Sequence, residues 1–333
     1  MTHLIELATR LAPRSPIVRP ALPLARRARA SAALGAAITA ALATGCSDAT
    51  HPEPPMLALP GNAYYPESLS ASADGTLFVG SLASGQVVAF DDGATESRTV
   101  VGAASGVTGI AGVVVHDDEL FVCSIDTSFQ RSTEVRSFGL DGTPHRGYTL
   151  GTGRFCNDMA FDTAGNLYVT DSFSGSVLRL APGGTALEPW LTDASLAPAQ
   201  QGAFGLDGIV ATDGAVYLTK LDTGGLYRVA IGADGRAGAV TRIAVSPALT
   251  SPDGMRLVDA RTLLVVENTG ALLRVALSGD TASATTLIDS LDQPTSVIVA
   301  RGWAWVSQGQ LGRLFAQPPQ SPDLPFSVVR VAL

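Results

Sequence analysis

A chain of 333 residues that is 46% hydrophobic and 16% charged has ample apolar material for one large core. Its net charge is −8, and an export-type leader rich in arginine hides a remainder that is more acidic still. Such a balance argues against nucleic acid as a partner.

Residues 1–30 carry six arginines against one glutamate, about +5, so the rest of the chain stands near −13. Ser31 to Gly45 is a run of small and apolar residues ending at Cys46. The run is too short to span a bilayer comfortably, and its basic flank marks residues 1–45 as a signal peptide. Ala43-Thr44-Gly45-Cys46 resembles a bacterial lipobox, with Ala43 where leucine is usual. That resemblance implies lipidation at Cys46, and Ser47 after it implies the outer membrane; cleavage nearby by ordinary signal peptidase is the alternative. The membrane is then met only through the N-terminal lipid. Residues 46–61 are Pro-rich and unpatterned, and are expected to form a tether.

From residue 62 to 333 one pattern recurs six times at spacings of about 40–50 residues. Its clearest copy is Asn157 to Leu180, with apolar runs at Met159–Phe161 and Leu167–Val169, a turn at Thr163-Ala164-Gly165, and a third run after Gly175. The second run recurs at Leu77–Val79, Leu120–Val122, Val216–Leu218, Leu263–Val265 and Trp303–Trp305. Third-strand marks include Gly225-Leu226-Tyr227-Arg228 and Gly312-Arg313-Leu314-Phe315. This predicts an all-β, six-bladed β-propeller with four-stranded antiparallel blades. Phe326 to Leu333 is expected as the outer strand of blade six, with residues 55–60 as the competing source. Trp303, Trp305, Tyr168 and Tyr217 are expected to be core.

Aligned on the first strands, the repeats place Glu67, Thr108, Asn157, Asp207, Asp253 and Thr295 around one opening. Three converging carboxylates repel, so a compensating partner is needed. One divalent cation (Ca²⁺, Zn²⁺, Mg²⁺ or Mn²⁺) would serve; solvation at a wet rim, or pairing with Arg154, Arg256 or Lys220, would serve as well. Cys123 and Cys156 fall on the same face of neighbouring blades, where a disulfide and two buried thiols are both compatible with an oxidising compartment.

Pro66-Glu67, Arg154-Phe155-Cys156-Asn157-Asp158, Leu206-Asp207-Gly208 and Pro252-Asp253-Gly254-Met255 resemble the marks of the family of senescence marker protein, gluconolactonase and luciferin-regenerating enzyme. The likeness covers residues 62–317. It implies Glu67, Asp207 and Asp253 as metal ligands and Arg154 and Asn157 as substrate contacts. Two departures stand out: Asp207 replaces the usual asparagine, and Cys156 adds a residue between Arg154 and Asn157.

Only His116 and His145 lie beyond the tether, and His116 falls on the opposite face, so histidine-based hydrolysis or lyase chemistry is disfavoured. What remains is metal-assisted hydrolysis of a small-molecule lactone or ester, with Asp253 as ligand and general base in an exported monomer. Asp171, Lys220 and Glu267 ring the same mouth. The alternative is a non-catalytic propeller of the cell envelope that binds a protein, glycan or small ligand. Long inserts on the mouth face would favour it, and Ser124–Val135 and Leu191–Gly205 are modest.

Overall fold

Each repeat folds as an antiparallel meander because its apolar runs are punctuated by tight turns. In blade three, Asp162 holds the first turn: its carboxylate accepts the Asn166 amide at 2.8 Å and its carbonyl accepts the Gly165 amide, with Gly165 at φ +80°. The computed structural model describes residues 56–126 and 131–333, so Cys46, the leader and residues 46–55 lie outside the described residues.

Six small sheets result. Blade one comprises Pro66–Ala71, Leu77–Ser81, Val87–Phe90 and Arg98–Val101. Blade two comprises Gly109–His116, Glu119–Ile125, Thr133–Gly139 and Pro144–Gly151. Blade three runs through Cys156–Phe161, Leu167–Asp171, Ser176–Leu180 and Glu188–Thr192, and blade four through Leu206–Ala211, Ala215–Lys220, Gly225–Ile231 and Ala237–Arg242. Blade five is Pro252–Asp259, Thr262–Glu267, Ala271–Ser278 and Thr281–Ile288, and it gains a fifth strand, Ala244–Ser246, parallel to its outer edge.

Burial is concentrated between blades, where neighbouring sheets press their apolar faces together. Phe78 and Val87 of blade one pack with Ile110, Val113 and Val122 of blade two, and Tyr168 and Val177 of blade three pack with Ile209, Val216 and Leu218 of blade four. This is why the second strands are apolar on both sides: Leu77–Ser81 and Leu167–Asp171 are buried at every residue. Cys123 and Cys156 bridge blades two and three as a disulfide, Cα to Cα 5.3 Å.

Blade six departs from the sequence reading. Its strands are Pro294–Ala300, Trp303–Gln308 and Ser327–Val331, and its outer strand is Met56–Ala58, paired antiparallel with Ser327–Val331. Ser327–Val331 is thus the third strand, not the outer one, and the competing source within residues 55–60 supplies the strand that closes the ring. Residues 56–61 belong to the propeller rather than to a tether, since Leu57 and Leu59 are buried against Tyr64, Trp305 and Phe326. Gly312-Arg313-Leu314-Phe315 is helical, not a strand: it lies in α1, Leu311–Phe315. Leu311, Leu314 and Phe315 recur at helix spacing, so one turn of helix puts all three on one face.

Closure by Met56–Ala58 yields a direct expectation. Leu57→Ala should lower unfolding stability by about 2 kcal/mol or more, as for a core leucine. A chemical-denaturation curve unchanged from wild type would show that the strand does not hold the ring shut.

Candidate functional site

The innermost strands do more than line a channel. Each has a register irregularity at its mouth end, between Pro66 and Ser68, Ile110 and Val113, Cys156 and Met159, Leu206 and Ile209, Pro252 and Met255, and Pro294 and Ser296. A bulge inserts one unpaired residue and re-aims its side chain, so consecutive residues can both turn toward the axis. The residues so presented are Glu67, Ala111, Asn157, Asp207, Asp253 and Thr295, which line the same cavity with Ser68, Asp158, Gly254 and Ser296.

Blade two corrects the sequence alignment. Thr-Gly-Ile at 108–110 imitates Asp-Gly-Ile at 207–209, yet Thr108 is exposed, and the bulge falls three residues later at Ala111-Gly112. The glycines confirm the register: a Cβ on Gly112 would meet the Asn157 carbonyl at 2.5 Å, on Gly208 the Asp253 carbonyl at 2.6 Å, and on Gly254 the Thr295 carbonyl at 2.7 Å. These positions are where each innermost strand touches the next, and only a missing side chain permits the approach.

The cavity measures about 10 Å³, room for one water-sized body. Glu67, Asp207 and Asp253 are 8%, 3% and 5% exposed. Burial holds the Glu67 carboxyl well above the usual carboxylate range, and the charges of Asp207 and Asp158 push the same way. Burial likewise raises Asp207, reinforced by Asp253, and raises Asp253, reinforced by Glu67. Asp207 and Asp253 are close enough to perturb one another's ionisation. Asn157 donates to Asp207 at 3.2 Å, and Asn268 donates to Asp253 Oδ2. Glu67 Oε2 is buried with no hydrogen-bond partner.

Among the described residues no group of three His, Cys, Asp or Glu side chains is arranged to hold a metal ion. The donor chemistry nevertheless fits a hard cation: oxygen ligands only, an excess of negative charge, an orphaned carboxylate oxygen, and a space of ionic size. Glu67, Asp207 and Asp253 would hold it, with the Asn157 carboxamide beside them.

The other expected residues divide. Arg154 lies at the mouth but is committed to Asp171, Nη1 to Oδ2 3.0 Å, and Asp171 also accepts the Phe155 amide. Asn157 reaches the cavity and is held by Ser172 at 3.0 Å. Lys220 pairs with Asp222 at 2.7 Å, and Glu267 accepts the Thr250 amide. His116 stacks on Phe161 and His145 pairs with Glu119, both at the far ends of their strands and away from the cavity.

Asp158 and Asn268 gain roles that the sequence did not assign, and Arg256, offered by the sequence as a partner for the ring carboxylates, pairs with Asp158 instead. Arg256 reaches from blade five to Asp158 on blade three, Nη1 to Oδ2 3.1 Å, and Asp158 also receives the Ile209 amide of blade four. This ion pair links blades three and five beside the carboxylates, and Arg256 was among the cations that the sequence offered as partners for the ring acids. Asn268 directly follows the second strand of blade five, one residue beyond Glu267.

No protein-family model and no curated protein matches the chain by sequence. Solved structures do match its fold. The major allergen Mala s 1 of Malassezia sympodialis superposes with a TM-score of 0.65 at 12% identity, over 84% of this chain and 96% of the allergen. A luciferin-regenerating enzyme gives 0.60 at 13% identity, over 84% and 95%. The virginiamycin B lyase of Staphylococcus aureus gives 0.54 at 11%, over 84% and 98%. At such identities the likeness establishes the six-bladed fold.

The raised carboxyls fix the pH response of the cation-free protein. A carboxyl with a higher pKa folded than unfolded binds more protons when folded, so stability is greatest near the unfolded carboxylate range and falls as pH rises through the folded values. In chelator, the melting temperature should therefore fall as pH rises above the ordinary carboxylate range, and a divalent cation should flatten the slope. A melting temperature that rises with pH under chelation would contradict this.

Proposed function

We propose that the protein is a metal-dependent hydrolase of a lactone or related carboxylic ester, working at the channel mouth of an exported, monomeric propeller anchored by lipid at Cys46. The observation that carries this reading is the desolvated cluster of Glu67, Asp207 and Asp253 with its orphaned Glu67 oxygen. The resemblance of Pro66-Glu67, Leu206-Asp207-Gly208 and Pro252-Asp253-Gly254 to the gluconolactonase-type family supports it from the sequence side. The fold shared with a luciferin-regenerating enzyme is consistent with it.

A bound divalent cation would polarise the ester carbonyl and acidify water at the site. The chain's own groups would do the rest. With a cation offsetting the burial that otherwise favours its protonated form, Asp253, oriented by Asn268, is the group best held to accept a proton from the attacking water. Water oxygen then bonds to the carbonyl carbon, the acyl C–O bond breaks, and the proton passes to the departing alkoxide. Asn157, braced by Ser172, would position the carbonyl, and Arg154 at the rim would orient the substrate. Burial keeps the raised carboxyls out of bulk solvent, which strengthens each charge interaction at the reacting centre. The Asp158–Arg256 pair links blades three and five beside the carboxylates.

Asp253→Asn keeps an oxygen donor and the volume while removing charge and basicity. Hydrolysis of a responsive lactone should fall by about 10²-fold or more at saturating metal. Calorimetric titration should show weaker cation binding, and the cation-free variant should be as stable as wild type or more so. Wild-type affinity and rate would end this assignment, while cation binding with no hydrolysis by either protein would favour a binding propeller. Mass spectrometry of the native N-terminus should find lipid on Cys46; an unmodified start elsewhere removes the anchor.

A further inference from the structure

Opposite the bulge that carries the ring side chain, blades three and four each place a threonine on the second strand. Thr170 follows Val169, the partner of Met159, and Thr219 follows Leu218, the partner of Ile209. Both threonines are fully buried, and each hydroxyl donates to the backbone carbonyl of the ring residue in the next blade, Thr170 to Asp207 and Thr219 to Asp253, both at 2.8 Å. A bulged residue lacks the ladder hydrogen bonds that fix its neighbours, so these two contacts set where Asp207 and Asp253 stand.

In blade two the same position is Cys123, which follows Val122, the partner of Val113. It has no hydroxyl to offer Asn157, the ring residue of blade three. It is bonded instead to Cys156, the residue directly before Asn157. The contact falls at the matching point: a Cβ built on Gly112 would meet the Asn157 carbonyl at 2.5 Å and Cys123 Sγ at 3.2 Å, so carbonyl and sulfur lie against one spot on the backbone of blade two. Both cysteines are fully buried.

The bulge begins where the disulfide ends. Cys156 is still paired with Asp171, Asn157 and Asp158 leave the ladder, and pairing resumes at Met159. From there Asn157 sends its carboxamide to Ser172 at 3.0 Å and to Asp207 at 3.2 Å.

We infer that the Cys123–Cys156 disulfide is a positioning element of the channel-mouth site: it takes the place of the threonine hydroxyl of blades three and four and fixes Asn157 against Asp207. This rests on the cation reading of the same site. Asn157 orients the Asp207 carboxylate, and outer partners that orient metal ligands are worth about 10–100-fold in affinity. A bond that served only as a staple would stabilise the chain by closing its 33-residue separation and would leave the cavity indifferent to its loss.

The test removes the bond in two ways that cost the chain the same staple. Cys123→Val/Cys156→Ala fills the position without a hydroxyl, as Val266 does at the matching place in blade five, whereas Cys123→Thr/Cys156→Ala supplies the hydroxyl of blades three and four. Ca²⁺ and Mn²⁺ are titrated calorimetrically into wild type and both variants, well below their melting temperatures. The valine variant should bind about tenfold more weakly or worse, and the threonine variant should recover most of that loss, although both melt below wild type. Wild-type affinity in the valine variant, or equally weak binding in both, would overturn the inference. If no protein, wild type included, takes up either ion, the cation reading falls and the Asn157 carboxamide resonances, assigned by their loss in Asn157→Asp, decide the positioning role. Resonances held at their wild-type shifts with threonine and displaced with valine support it, and resonances that respond alike in the two variants refute it.

Discussion

Mutual repulsion among Glu67, Asp207 and Asp253 is the constraint to which the rest of the mouth responds. Closing the ring forces these carboxylates together and out of water, and like charges at such range cost on the order of a few kcal/mol per pair. Each fully buried Val, Leu or Phe contributes roughly 1.5–3 kcal/mol. The six interblade cores hold dozens of such side chains, so the fold carries the charged cluster easily. What it does not do is neutralise the cluster: Arg256 sends Nη1 to Asp158, and its buried Nη2 has no hydrogen-bond partner. Protonation or a bound cation must supply the missing positive charge.

The same backbone features that let the blades meet also build the site. Bulges at the mouth ends turn ring side chains inward, and Gly112, Gly208 and Gly254 let each innermost strand press against the next. A residue larger than glycine at 208 or 254 would push apart the strands that carry Asp207 and Asp253. The Asp158–Arg256 pair ties blades three and five together, and Leu311, Leu314 and Phe315 of α1 pack on the apolar cluster that holds Phe155. Site and fold are therefore coupled through backbone contacts, and a catalytic lesson drawn from one ring residue has to be checked against ring stability.

Much of this was legible in the sequence because propeller blades repeat in both period and polarity. Apolar triplets such as Leu167–Val169 located the second strands, and an acid or amide at four positions and Thr295 at a fifth located five of the six ring positions. Blade two misled because Thr108-Gly109-Ile110 copies the sequence of a bulge whose register lies at Ala111. Blade six misled for another reason: its partner strand, Met56–Ala58, lies at the other end of the described chain, beyond the reach of local periodicity. The pairing of Cys123 with Cys156, the reach of Arg256 to Asp158 and the grip of Asn268 on Asp253 join separate blades or depend on rotamers, and no spacing rule encodes them.

The account depends on a cation at the mouth, and elemental analysis of the mature protein purified without chelator tests it most directly. About one divalent ion per chain, lost in Glu67→Gln, is the result expected of an oxygen-ligand site with three carboxylates. A protein that is metal-free as purified, takes up no divalent cation on dialysis and is indifferent to chelator would contradict it.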